Sequence, residues 1–257
     1  MRVSSPKGGV GKSVIATNLG VALQSMGYNV LMIDLDLINP CVGLYLGIPE
    51  TNLGFLDAVK NPANIKRAIV PHSQTGMRVL PGRMSKTYDL EDYLPSAKQL
   101  RVFYQNILKL DFDFVVVDTQ PGIAYKVPLD LYNEAIIVAQ PHRASCISAV
   151  KLLDKYGKAK LKSSVVINRR RNKNFELDIK EIEDMTEEQI MAELPEDENV
   201  PVGVSEGVPC FLFNRRSPFA RKIGGLANVI SKRIGTEASG RFPNEEKGGL
   251  LGFLKKR

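Results

Sequence analysis

The segment Pro6-Lys7-Gly8-Gly9-Val10-Gly11-Lys12-Ser13 constrains this chain more than any other eight residues. It lies between a very short candidate strand, Arg2 to Ser5, and an amphipathic stretch, Gly11 to Met26, so it reads as the turn from a strand into a helix. A glycine-rich turn that opens a helix presents unpaired backbone N–H groups at the positive end of the helix dipole, which suits a phosphate chain. In such a loop Gly8, Gly9, Val10 and Gly11 wrap the phosphates, Lys12 reaches the β- and γ-phosphates, and the Ser13 hydroxyl ligates Mg²⁺. The strict spacing G-x-x-x-x-G-K-[ST] fails at its first position, where Pro6 stands, so the expectation rests on context. The competing reading is a glycine-rich turn that binds nothing.

The context is a repeated alternation. Short segments at Arg2 to Ser5, Asn29 to Ile33, Met77 to Leu80, Phe114 to Val117, Ala135 to Val138 and Ser164 to Ile167, most of them apolar, read as strands. Between and after them, helices are expected at Gly11 to Met26, Leu53 to Lys60, Ser96 to Lys109, Ser145 to Tyr156, Glu187 to Glu193 and Pro218 to Arg233. This is the pattern of an α/β fold, a predominantly parallel twisted sheet covered by helices on both faces. The first strand is very short, as though a few residues had been lost ahead of it. Residues 169 to 194 open on Arg169, Arg170 and Arg171, turn acidic, and read as a solvated surface excursion.

Two acidic motifs close strands. Asp34-Leu35-Asp36 follows the Asn29 to Ile33 run, at the edge where open α/β sheets bind ligands. Carboxylates there hold a Mg²⁺ water shell or orient an attacking water. In Phe114-Val115-Val116-Val117-Asp118-Thr119-Gln120-Pro121-Gly122, four apolar residues carry Asp118 toward the metal. For each of these carboxylates a purely structural role, capping or ion pairing, is the alternative.

The 257 residues include only three cysteines, Cys41, Cys146 and Cys210, at wide spacings that suit neither a disulfide framework nor a CxxC site. No apolar run approaches the length of a membrane span and no signal segment precedes the loop, so a cytoplasmic chain is expected. The net charge of +7 favours anionic partners without choosing among them.

With Lys7 ahead of the glycines, the loop resembles the deviant Walker A motif, KGGxGK[ST], of the MinD/ParA family of P-loop ATPases, and the chain is closest in pattern to the MinD type. The resemblance covers residues 1 to 233 and implies a P-loop NTPase fold binding ATP or ADP with Mg²⁺. It implies that Lys7 reaches the phosphates of a partner subunit in an ATP-sandwiched homodimer, so that Lys7, Lys12 and Asp36 carry catalysis. Ser13, Asp34 and Asp118 would then surround the metal, and Pro121 with Gly122 would form the switch after the second strand carboxylate. Asn168 matches the family's adenine-binding asparagine, and Pro195-Glu196-Asp197 the loop against the base. Val14 stands where the family has a hydroxyl residue for the α-phosphate, so that contact would fall to the backbone. Gln120 is a further departure.

Residues 1 to 234 are thus expected to form the ATPase domain, 235 to 249 a flexible linker, and 250 to 257 a short tail. At 100° per residue Leu250, Leu251, Phe253 and Leu254 span about 160° of a helix, next to Lys255 and Lys256. The tail looks like a MinD-type membrane-targeting sequence, with an anionic bilayer as its partner. One tail binds marginally; two on an ATP dimer bind far better. The resemblance therefore implies a slow ATPase that sits peripherally on the membrane when ATP-bound, is stimulated by a protein partner, and acts in spatial positioning such as division-site placement. The alternatives are a ParA-like ATPase holding DNA through Arg169 to Arg171 or Arg215, Arg216 and Arg221, a metal or iron–sulfur delivery ATPase, a scaffold without hydrolysis, and a tail that docks on its own domain.

Overall fold

The computed structural model describes residues 1–83, 94–121 and 127–240, with side chains of the last helix described to residue 233. Eight strands form one sheet: β1 (Arg2–Ser4), β2 (Val30–Leu35), β3 (Val70–Pro71), β4 (Arg78–Leu80), β5 (Phe114–Thr119), β6 (Glu134–Ala139), β7 (Lys162–Arg170) and β8 (Ile190–Pro195). Their spatial order is β3-β4-β2-β5-β1-β6-β7-β8, with every pairing parallel except the edge pair β3 and β4. The helices are α1 (Lys12–Ser25), α2 (Val42–Tyr45), α3 (Phe55–Lys60), α4 (Ile65–Ala68), α5 (Ala97–Ile107), α6 (Arg143–Lys158), α7 (Ile179–Thr186), α8 (Asn199–Ser205), α9 (Cys210–Phe213) and α10 (Pro218–Gly240).

The strands are apolar on both faces because both faces are covered. Along β2, Leu31, Ile33 and Leu35 point into one core with α3, α5 and α6. Val30 and Met32 point into the other, with α1, α9 and α10. Helix α1 is buried around most of its circumference, from Ile15 to Leu23, as a helix is when packed between a sheet and an outer helix. Asn18 fixes that packing, donating to Val14 O at 2.8 Å and accepting from Phe211 N at 2.8 Å.

The expected α/β architecture is what the chain forms, with three corrections. The stretch Glu187 to Glu193 is not a helix: Glu187 turns left-handed (φ 53°) and ends α7, and Ile190–Pro195 pairs with β7 as an edge strand. Its Glu-, Gln- and Met-rich composition favours helix locally, but Leu194 is fully buried and β7 offers an open ladder, and tertiary pairing overrides propensity. For the same reason residues 169 to 194 are part of the fold. Asp178 and Glu181 form a reciprocal capping box at the start of α7, whose Ile182 is buried. Finally, α10 continues to Gly240, so residues 235 to 240 of the expected linker are helical. Thr236 to Ser239 contain no helix breaker, and a single Gly235 is tolerated at a cost of about 1 kcal/mol. Residues 241 to 257, and with them the tail residues Leu250, Leu251, Phe253, Leu254, Lys255 and Lys256, lie outside the described residues, as does Gly122. Among the described residues no helix is long and apolar enough to cross a membrane.

Candidate functional site

All the loops singled out in the sequence meet at the C-terminal edge of the sheet. The β1–α1 turn, the ends of β2 and β5, Asn168 in β7 and Pro195 at the end of β8 surround one site. This is where an open α/β sheet leaves a crevice, since neighbouring strands send their connections to opposite faces.

The β1–α1 turn has the geometry of an anion cradle. Gly9 (φ 79°) and Gly11 (φ 93°) are left-handed, which few residues but glycine adopt readily. Gly11 caps α1 without any side-chain hydrogen bond, and there is no acidic residue in the first turn. The first hydrogen bond of the helix runs from Ile15 N to Gly11 O at 3.0 Å. The amides ahead of it are therefore available to a ligand. Asn168 steadies the turn from across the sheet, its Nδ2 donating to Val10 O at 2.8 Å. A Cβ on Gly11 would collide with that same Nδ2.

Lys12 is buried, and its Nζ lies 2.6 Å from Asp118 Oδ1 and 3.4 Å from Ser13 Oγ. Asp118 Oδ2 is buried and has no hydrogen-bond partner among the described residues. Burial pushes the Asp118 carboxyl up, while Lys12 and Ser13 pull against it. An orphaned carboxylate oxygen beside a serine hydroxyl is the donor set a hard divalent cation takes up, so Ser13 and Asp118 fit the Mg²⁺ expected of them. Asp34 sits directly opposite Asp118 in the β2–β5 register. It is fully buried, and burial together with the facing Asp118 pushes its pKa up to about 8. Both its oxygens are already engaged, one by Asp36 N at 3.0 Å and the other by Val42 N at 3.0 Å. Asp36 is turned into its own loop, accepting from Ile38 N at 3.2 Å and Asn39 N at 3.0 Å through Oδ1.

Lys7, Gly8 and Gly9 are exposed, and among the described residues the Lys7 ammonium has no hydrogen-bond or ion-pair partner. Pro121 stands beside the loop, 3.8 Å from where a Cβ of Gly8 would be. On the other side of the turn a cavity of ≈ 320 Å³ is walled by residues that include Val14, Tyr45, Asn168, Pro195, Asp197 and Val204. Asn168, Pro195 and Asp197, far apart in sequence, thus share one pocket. Asp197 is committed to the scaffold: its oxygens accept from Asn199 N at 2.9 Å and Phe219 N at 3.0 Å, joining the starts of α8 and α10. Burial would raise its pKa, but these bonds hold it below the usual carboxylate range.

Tyr45 was not foreseen as part of the site. No spacing rule marks it, and only the packing of α2 against α8 brings it there. Nor did the sequence reveal the contact that makes this packing possible. Gly47 (φ 59°) and Gly207 (φ 64°) cross so closely that a Cβ on Gly47 would lie 2.9 Å from Gly207 O. Of the three thiols, Cys146 and Cys210 are buried in separate helices and Cys41 lies half-buried just ahead of α2.

Comparison with known proteins gives a consistent result. The sequence pattern of the ParA family, described as NUBPL iron-transfer P-loop NTPase, matches residues 1–231. An uncharacterised ATP-binding protein of Methanocaldococcus jannaschii is 29% identical over 232 residues, covering 89% of this chain and 86% of the relative. The septum site-determining protein MinD of Thermotoga maritima is 26% identical over 265 residues, covering 98% and 94%. Among solved structures, MinD of Pyrococcus horikoshii complexed with Mg-ADP superposes with a TM-score of 0.83 at 26% identity, covering 92% of this chain and 97% of that one. The cell division ATPase MinD of Pyrococcus furiosus gives 0.81 at 28% identity, covering 90% and 98%.

Proposed function

Because the chain belongs to the ParA family of P-loop NTPases, with MinD proteins among its relatives, we propose that it is a Mg-ATP-driven dimerising switch that hydrolyses ATP slowly and sits on an anionic membrane while ATP is bound. The observation that carries this reading is the unfinished cradle: helix amides with no side-chain cap, a buried lysine parked on a strand carboxylate, and an exposed lysine at the mouth that has no partner among the described residues.

The residues divide the work. The amides of Gly9 to Ser13 hold the phosphate oxygens, and Lys12 exchanges Asp118 for the β- and γ-phosphates. That exchange would free Asp118, which with Ser13 would hold Mg²⁺; the cation would supply charge neutralisation on the phosphates. Asp36 orients the attacking water once its loop amides release it. Lys7 projects to the phosphates of a second copy and stabilises charge there as an arginine finger does, which makes hydrolysis depend on dimerisation. The C-terminal tail, residues 250 to 257, engages the bilayer in pairs, and a protein partner accelerates hydrolysis and release.

Light scattering with and without Mg-ATP tests the dimer: the parent chain doubles its mass in ATP and not in ADP, whereas Lys7→Ala stays monomeric. Co-sedimentation with anionic liposomes tests the membrane step. ATP-dependent binding that disappears when residues 249 to 257 are deleted supports it; binding that ignores the deletion, or ATP-dependent, salt-sensitive binding to plasmid DNA in its place, overturns it.

A further inference from the structure

The short helix α2 is fastened at both ends. At its start, Val42 N donates to Asp34 Oδ2 at 3.0 Å, within the cluster that includes Asp36 and Asp118. At its end, the Gly47–Gly207 crossing locks it against the turn that follows α8. Between these two fastenings, Tyr45 reaches the cavity that Asn168 and Pro195 enter from β7 and β8 and that Val200 and Val204 wall from α8. The ring is half-buried, and among the described residues it and Phe219 are the aromatic side chains that line this cavity. Burial raises its phenol to about 12, so it stays neutral, and Arg169 on the same wall is near enough to oppose that rise. Beside the charged Arg169, Glu196 and Asp197, the cavity therefore offers a flat π-face, apolar side walls and an asparagine amide, a combination that receives a stacked heteroaromatic ring with a hydrogen-bonding edge.

Resting on the reading of the site as an ATP site, we propose that Tyr45 is a nucleoside-contact residue, packing on the base or ribose and so making the helix tied to Asp34 respond to the nucleoside and not to the phosphates alone. Base–aromatic stacking favours a π-face without requiring one base, so Tyr45 supplies affinity while Asn168 supplies the edge contact.

Titration calorimetry separates the two halves of the ligand. Mg-ATP and Mg-bound inorganic triphosphate are titrated into the full chain and into Tyr45→Phe and Tyr45→Ala, each with its melting temperature recorded. Tyr45→Ala is expected to weaken ATP about tenfold while triphosphate stays within twofold, and Tyr45→Phe to bind both as the parent does. ATP affinity within twofold of the parent in Tyr45→Ala, or an equal loss for ATP and triphosphate, overturns the proposal. A second readout leaves the fold untouched: with tyrosine rings alone labelled, the parent should show nuclear Overhauser contacts from adenosine protons to one ring, absent in Tyr45→Phe. Contacts to no tyrosine, or contacts that survive Tyr45→Phe, also overturn it. If the parent binds neither ligand, the ATP reading itself fails, a result distinct from either of these.

Discussion

The β1–α1 turn and the Asp34–Tyr45 segment face each other across the site, yet one is incomplete and the other is closed on itself. The turn ends in amides that no side chain caps, while in the segment opposite, both carboxylates already accept hydrogen bonds from their own loop. An incomplete anion site gains from any ligand that supplies the missing acceptors. A closed loop must instead give up bonds before its carboxylate can act on water. Binding and hydrolysis should therefore be separable by mutation, with the energetic demand for hydrolysis lodged in the Asp36 segment.

The contrast can be broken most sharply at Lys12. Replacing it with Ala removes a buried cation from the cradle, and ATP affinity should fall by about 10²–10³-fold, measured by calorimetry. Retained affinity would mean that the amides alone hold the ligand. Asp36→Ala tests the opposite side: hydrolysis should drop by about 10²-fold or more with ATP affinity kept, and the ATP dimer should accumulate in light scattering. A mutant that hydrolyses at the parent rate would assign the water to another group. Gly207→Ala tests the brace behind the segment. A Cβ in the left-handed region costs about 1–2 kcal/mol, and crowding of Gly47 adds about 1–3 kcal/mol. The melting temperature should drop by about 4–20 °C, and ATP affinity should fall as Tyr45 is displaced, by no more than the roughly tenfold loss expected of Tyr45→Ala.

A last effect is in pH. Asp34 keeps its proton in the folded chain up to about pH 8, whereas unfolded it titrates as an ordinary carboxylate. Folding thus takes up a proton between those values, and the associated stability declines as pH rises through about 8. In the absence of Mg²⁺ and nucleotide, the melting temperature should fall from pH 5 to pH 8, and the slope should flatten in Asp34→Asn. A parent slope no steeper than that of Asp34→Asn would place the proton elsewhere.

What could be read from the sequence depended on how locally each feature is written. The runs Phe114 to Val117 and Ala135 to Val138 could only be buried strands, and the glycine turn could only open a helix. Asp34 was legible as a strand-end carboxylate, but its position opposite Asp118 depends on a register between residues 84 positions apart. Strand β8 was misread because Glu187 to Glu193 favours helix until β7 offers it a partner. Tyr45 was invisible for the same reason, since its place depends on two glycines meeting 160 positions apart, Gly47 and Gly207. Local chemistry was written in short words; the assembly of the pocket was not.

The amide of Asn168 that holds Val10 comes from 158 residues downstream. The eight-residue loop is therefore no portable module: grafted onto another scaffold, or made as a fragment ending before β7, it would carry the glycines without the strut that keeps them in shape. During synthesis the loop emerges well before β7 does, and it stays without its strut until Asn168 has followed.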